Sequence, residues 1–157
     1  MTRGNARELA VHLIYAQTFT GEEPEQVVTM RLDKPYYKGL SEEHEVYAER
    51  PSRAQLAYID SVVCGVVNRG EELDRHIQNF SIGWDISRIS RLTRCILQLA
   101  IYEILFVEDI PTGVAVSEAV RIAKKYDGDD TGAFVNGILG SYVRAEAGEA
   151  AEDTQTE

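Results

Sequence analysis

Nucleophilic catalysis needs a serine or cysteine beside a histidine base and an orienting acid, and this chain offers three histidines, His12, His44 and His76, to build it from. His12 follows Glu8 by one helical turn, His44 lies in an acidic connection, and His76 has no second ligand near it in sequence. Each reads as a surface or satisfied histidine. His44-Glu45 begins the H-E-x-x-H zinc pattern, but the fifth residue is Ala48, so the second ligand is missing. Asp127-Gly128-Asp129-Asp130-Thr131-Gly132 starts like a calcium loop, yet the position that needs a bidentate glutamate is Ile138. An acidic first turn complementing the positive end of a helix dipole explains those residues better. There is no Walker loop, no G-x-G-x-x-G and no identifiable carboxylate pair. The expectation is a binding protein that is not an enzyme, with neither metal nor cofactor.

Two groups of residues could bind a macromolecule. Arg3 and Arg7 flank Asn5, and Tyr15, Gln17 and Phe19 follow at the end of the same predicted helix. Arginine contacts phosphates and offers a plane for stacking, and an exposed tyrosine stacks on unpaired bases, so this mixture suits single-stranded RNA. Taken alone, arginines on a solvated face and a tyrosine in the core account for it more readily. Arg88, Arg91 and Arg94, spaced by threes along one predicted helix face, suit an acidic protein partner or, equally, a solvated face.

The formal net charge of −10 speaks against nucleic acid until it is divided along the chain. Residues 1–19 total +1, 20–50 total −4, 51–144 total −2 and 145–157 total −5. The acids thus concentrate in two peripheral segments, and the body between them is nearly neutral. The C-terminal stretch AEAGEAAEDTQTE has no base and no large apolar residue, so residues 146–157 are expected as a disordered acidic tail behind one helical domain, 1–145. At 157 residues the chain can bury a sizeable core without disulfide or metal. Cys64 and Cys95, in apolar helical stretches with no C-x-x-C spacing, are expected as buried thiols in a reducing compartment. No apolar run approaches the roughly 18 residues of a membrane span, and the start lacks a signal peptide's apolar core, so the expected location is cytoplasmic.

Helical periodicity supplies the framework. Ala6, Leu9, Ala10, Leu13 and Ile14 form one stripe of a helix capped by Asn5 and running to about Phe19. A short helix over about Glu25 to Leu32 leads into an irregular acidic connection from Lys34 onward, with room for a helical turn. After Pro51-Ser52, Leu56, Ile59, Val63, Val66, Leu73, Ile77 and Phe80 recur at steps of three and four, which predicts one long helix across Gly70. A turn over 81–85 precedes a core helix from Ile86 to about Phe106, breakable near Ser90. Pro111 opens a helix over about Thr112 to Tyr126, and Asp130 or Thr131 caps the last after a loop at 127–130. The reading is all-α, with six to seven helices.

The same residues resemble the NusB family of bacterial transcription antitermination factors over most of 3–140. The resemblance is carried by Ala6-Arg7-Glu8-Leu9-Ala10 with Leu13-Ile14-Tyr15, by Ile96-Leu97-Gln98-Leu99-Ala100-Ile101-Tyr102-Glu103-Ile104 with Asp109-Ile110-Pro111 and Val114-Ala115-Val116-Ser117-Glu118-Ala119-Val120, and by Ala123-Lys124-Lys125-Tyr126 with Phe134-Val135-Asn136-Gly137-Ile138-Leu139. It implies two packed helical bundles and a protein that holds boxA-type RNA together with a small-subunit ribosomal protein, NusE, in the transcription elongation complex of ribosomal RNA operons. It also implies an RNA side at Arg3, Arg7, Tyr15, Gln17, Asp130 and Phe134, and a protein-partner side at Ser87, Arg91, Thr93 and Arg94. Three positions where many relatives carry a base are here Gly4, Gln98 and Ala133. Each lost phosphate contact lowers the salt slope of binding by about one, so RNA binding is expected to be weak alone and strengthened by the partner. Similar helical modules serve ribosomal RNA methyltransferases; with the sequence ending at Glu157, a standalone factor is the expectation. A protein-binding adaptor of the same fold with little RNA affinity is the other reading.

Overall fold

The computed structural model describes residues 1–41, 45–81, 83 and 85–155, and their side chains except those of 34, 35, 41 and 147 onward. His44, Ile82 and Trp84 lie outside the described residues. Among the described residues there are eight α-helices, two short 3-10 turns and no strand. The chain divides into two compact units, Met1–Gly70 and Glu71–Glu157.

In the first unit, α1 (Arg3–Thr20) carries the predicted stripe, with Ala6, Leu9, Ala10, Leu13 and Ile14 all buried. Its cap is Thr2, not Asn5: the Asn5 amide donates to Thr2 Oγ1 at 3.0 Å, which starts the helix three residues early. Gly21 ends it in the left-handed region at φ 65°, a conformation that costs glycine little. Helix α1 packs on α2 (Pro24–Arg31) and α4 (Arg53–Asn68). Ser52 opens α4 with a reciprocal capping box, its Oγ accepting from the Gln55 amide at 3.2 Å while Gln55 Oε1 accepts from the Ser52 amide at 2.9 Å.

The stretch expected to be irregular is helix α3 (Lys34–Ser41), followed by a 3-10 turn at Glu45–Tyr47. Tyr37 explains the difference. Buried at 2% exposure, it meets Tyr47 edge-on at 5.4 Å, and its hydroxyl donates to the Glu49 carbonyl at 2.5 Å. Arg50 lies over the Tyr37 ring at 5.7 Å and donates to the Leu32 carbonyl at 2.9 Å, closing the end of α2. Contacts twelve or more residues apart thus stabilise a helix with little local signal.

The long helix predicted across Gly70 is two helices. Arg69 leaves helical geometry at φ −112°, ψ 19°, and α5 (Gly70–Phe80) starts at the glycine, the residue that loses most entropy in a helix interior. Leu73 and Ile77 are nevertheless buried in the second unit, as the periodicity required. Asp85 caps a 3-10 turn at Ile86–Arg88, and Ser90 caps α6 (Arg91–Phe106), so the foreseen break near Ser90 is real. Helix α6 buries every residue from Cys95 to Ile101 and packs on α7 (Thr112–Asp127) and α8 (Asp129–Gln155), which pack on each other. The last two helices are separated only by Gly128 at φ 92°, where a four-residue loop was expected. The backbone of the acidic stretch from 146 continues α8 to Gln155. Among the described residues no helix is long and apolar enough to cross a membrane.

Candidate functional site

The residues of the predicted RNA side fall in both units. In the first unit Arg3 is exposed in the opening turn of α1, but Arg7, one turn on, is buried at 7% exposure. Arg7 therefore serves the packing of the unit rather than presenting a free phosphate contact. Tyr15 is half-buried and meets the exposed Phe19 edge-on at 4.9 Å, so this aromatic pair sits on the C-terminal half of the helix. Gln17 folds back, its Nε2 donating to the Glu22 carbonyl at 3.1 Å beyond the helix end. Arg3 and Tyr15 lie about 18 Å apart along the axis, from twelve residues of about 1.5 Å rise. A strand must run along α1 to touch both.

In the second unit Asp130 and Phe134, one turn apart on α8, line a cavity of about 440 Å³. The opposite wall is Arg88, Ile89, Ser90 and Thr93, with Asp127 and Thr131 completing it. A chain of hydroxyls fixes its geometry. Ser90 Oγ donates to Thr93 Oγ1 at 2.8 Å, and Thr93 Oγ1 donates to Asp127 Oδ2 at 3.0 Å. Asp127, the last residue of α7, thus faces the N-terminus of α6, where a carboxylate complements the helix dipole. The sequence reads Asp127 as part of an acidic helix entry; its carboxylate ties two helices together. Among the described residues no three His, Cys, Asp or Glu side chains gather as a metal site would require. Asp127 and Ser90 went unforeseen as cavity residues because their partners lie more than thirty positions away.

The predicted partner side surrounds the start of α6. Ser87 and Arg91 are exposed, Arg94 is half-exposed, and Thr93 is buried at 3% behind the hydroxyl chain. Arg88 belongs to the preceding 3-10 turn, so the three arginines do not share one helix face. Arg94 is clamped by Asp74 of α5 through two hydrogen bonds, one from Nε at 3.0 Å and one from Nη2, and these bonds raise its already high pKa. Gln98 is buried at 8% and donates to the same carboxylate at 2.8 Å. This position is interior, so its lack of a base removes no surface charge here. Ala133, beside Phe134, is exposed, and Gly4 lies in the first turn of α1. Cations at a helix N-terminus oppose the dipole by about 0.3–1 kcal/mol each. Arg91, at the first position of α6, stands against that dipole, whereas Arg94 is paired with Asp74.

Residues 4–144 match the NusB family. The chain belongs to the NusB family. A transcription antitermination protein NusB of Acetivibrio thermocellus is 40% identical over 144 residues, covering 92% of this chain and 90% of the relative. The NusB fold is equally evident in solved structures. T. maritima NusB superposes with a TM-score of 0.73 at 29% identity, covering 92% of each chain. A crystal structure of antitermination factors NusB and NusE in complex with double-stranded RNA matches at a TM-score of 0.70 and 26% identity, over 91% of this chain and 96% of that one. The NusB motifs read in the sequence fall on α1, on α6 with the start of α7, and on the end of α7 with α8.

Proposed function

We propose that this chain is a transcription antitermination factor that holds boxA-type RNA jointly with the ribosomal protein NusE and acts in the cytoplasm without catalysing a reaction. The observation that carries the reading is the family match over residues 4–144. Relatives at this similarity are named antitermination proteins, and a solved neighbour contains NusB, NusE and RNA. On this reading Arg3, Tyr15 and Phe134 meet the RNA, the first as a phosphate contact and the other two as stacking surfaces. Gln17 and Asp130 offer polar contacts beside them. Ser87, Arg91 and Arg94 face NusE, with Thr93 and Asp127 holding the start of α6 in place behind them.

With Arg7 buried and Gly4 and Ala133 uncharged, affinity for RNA alone is low, and NusE supplies the remainder. Reciprocity requires RNA to tighten NusE by the same factor. Titration of labelled single-stranded boxA-type RNA, with and without NusE at several salt concentrations, tests this. A rise in affinity with NusE of about tenfold or more is expected, which corresponds to a coupling of about 1.4 kcal/mol. Tight binding without NusE would refute the shared surface, and absence of RNA binding with NusE affinity intact would favour a protein-binding adaptor. A duplex of the same sequence, run in parallel, separates strand preference from general RNA affinity.

A further inference from the structure

The second unit holds a three-donor clamp at the start of α6. Arg94 Nε donates to Asp74 Oδ1 at 3.0 Å and Arg94 Nη2 to Asp74 Oδ2, a side-on fork onto a different helix. Gln98, one turn further along α6, donates Nε2 to the same Oδ1 at 2.8 Å. The Asp74 carboxylate thus receives three donors. Its side chain is 22% exposed, whereas that of Arg94 is 42% exposed. Guanidinium is planar with five N–H groups, and Asp74 engages one edge. The outer edge, formed by Nη1 and the remaining N–H of Nη2, is left for another acceptor.

We propose that Asp74 is a positioning residue of the NusE-facing surface: it clamps Arg94 from behind, with Gln98 steadying the clamp, and presets the outer guanidinium edge for a carboxylate of the protein partner. The proposal rests on the reading of Arg94 as a partner contact. A long side chain immobilised on docking costs affinity, and one already immobilised does not. Gln98 suits this arrangement because it is a neutral donor: it shares Asp74 without competing for the fork. A second arginine at that position would compete with Arg94 for the same two oxygens.

The sign of one substitution separates the clamp from simple charge. As a negative charge, Asp74 repels a partner carboxylate, so its neutralisation should strengthen binding if electrostatics alone mattered. As a clamp, its loss frees Arg94 and weakens binding. Affinity of the full chain for NusE is measured for Arg94→Ala, Asp74→Asn, Asp74→Glu and the Arg94→Ala/Asp74→Asn double variant, with melting temperature and RNA affinity recorded alongside. Arg94→Ala and Asp74→Asn are each expected to weaken NusE binding about tenfold, and Asp74→Glu to stay within about threefold of the parent. The double variant should bind no worse than Arg94→Ala alone, since the two act as one device. If Asp74→Asn proves too unstable to assay, Gln98→Arg, which diverts Asp74 from Arg94, is expected to give the same tenfold loss. Parent-like binding by Arg94→Ala overturns the partner-contact reading and the clamp with it. Weakened Arg94→Ala with Asp74→Asn, or Gln98→Arg in its place, at parent affinity or tighter overturns the clamp alone.

Discussion

Three arginines of the first unit and three of the second are held in different ways. In the first, Arg7 is buried in α1, Arg50 lies over Tyr37 and ties off α2, and Arg31 lies over the Tyr36 ring at 5.6 Å. These guanidinium groups are mortar for a unit whose α2 and α3 have only eight residues each. In the second, Arg88 and Arg91 are exposed near the N-terminus of α6, against the local dipole, and Arg94, held by Asp74, is 42% exposed. What an arginine is bonded to, rather than its presence in a basic cluster, decides whether it is free to meet a partner.

Leu9 in α1 and Leu97 in α6 are both fully buried, so alanine at either should cost about 2–5 kcal/mol in denaturant unfolding. Each substitution should lower the stability of its own unit most. Protection from hydrogen exchange, mapped by residue, checks this, and equal loss across the chain would show that the two units unfold as one.

A sharper contrast is Arg50→Ala against Arg91→Ala. The first removes a charged hydrogen bond to the Leu32 carbonyl and a ring contact, which predicts a loss of about 1–2 kcal/mol of stability with NusE affinity unchanged. The second should leave stability within about 0.5 kcal/mol and instead slow NusE association and flatten its salt dependence. Thermal melts beside surface-binding kinetics read both, and the comparison breaks if the two effects are interchanged.

RNA binding divides similarly. Arg3→Ala should lower the slope of log affinity against log salt by about 0.7, the single-strand value for one phosphate contact. Phe134→Ala should weaken binding by about 1–3 kcal/mol with that slope unaltered, since stacking releases no counterion. The last contrast concerns the cysteines, one in each unit. Burial is the first cause pushing both Cys64 and Cys95 up to about 12, so both stay protonated thiols at neutral pH. Alkylation at pH 8 should be at least about a hundredfold slower than for a free cysteine and should speed up with rising pH. Cys64 should react before the 1%-exposed Cys95, in a mass-spectrometric time course.

Much of the fold was legible because helix periodicity is a local property. The stripe of α1, the break at Ser90, the stop at Pro111 and the helix of Phe134 and Ile138 each rest on residues within a few turns of one another. Where the reading failed, the deciding contact was remote. Helix α3 depends on Tyr37 meeting Tyr47, Glu49 and Arg50; the start of α1 is the exception, set by a local bond from the Asn5 amide to Thr2 Oγ1.

The candidate site divides along the same line. Tyr15 and Phe134 stand within family motifs and Arg3 and Asp130 were carried over by position beside them, and the all-helical class and NusB membership needed nothing more. Burial of Arg7, the hydroxyl chain from Ser90 to Asp127 and the hold of Asp74 on Arg94 are products of tertiary structure. Sequence order determines which side chains share a helix, because the helical turn is set by the backbone. It does not determine which carboxylate an arginine meets when the two stand twenty residues apart on different helices. That pairing depends on how the helices pack, and it decides which of the arginines remain available to RNA and protein.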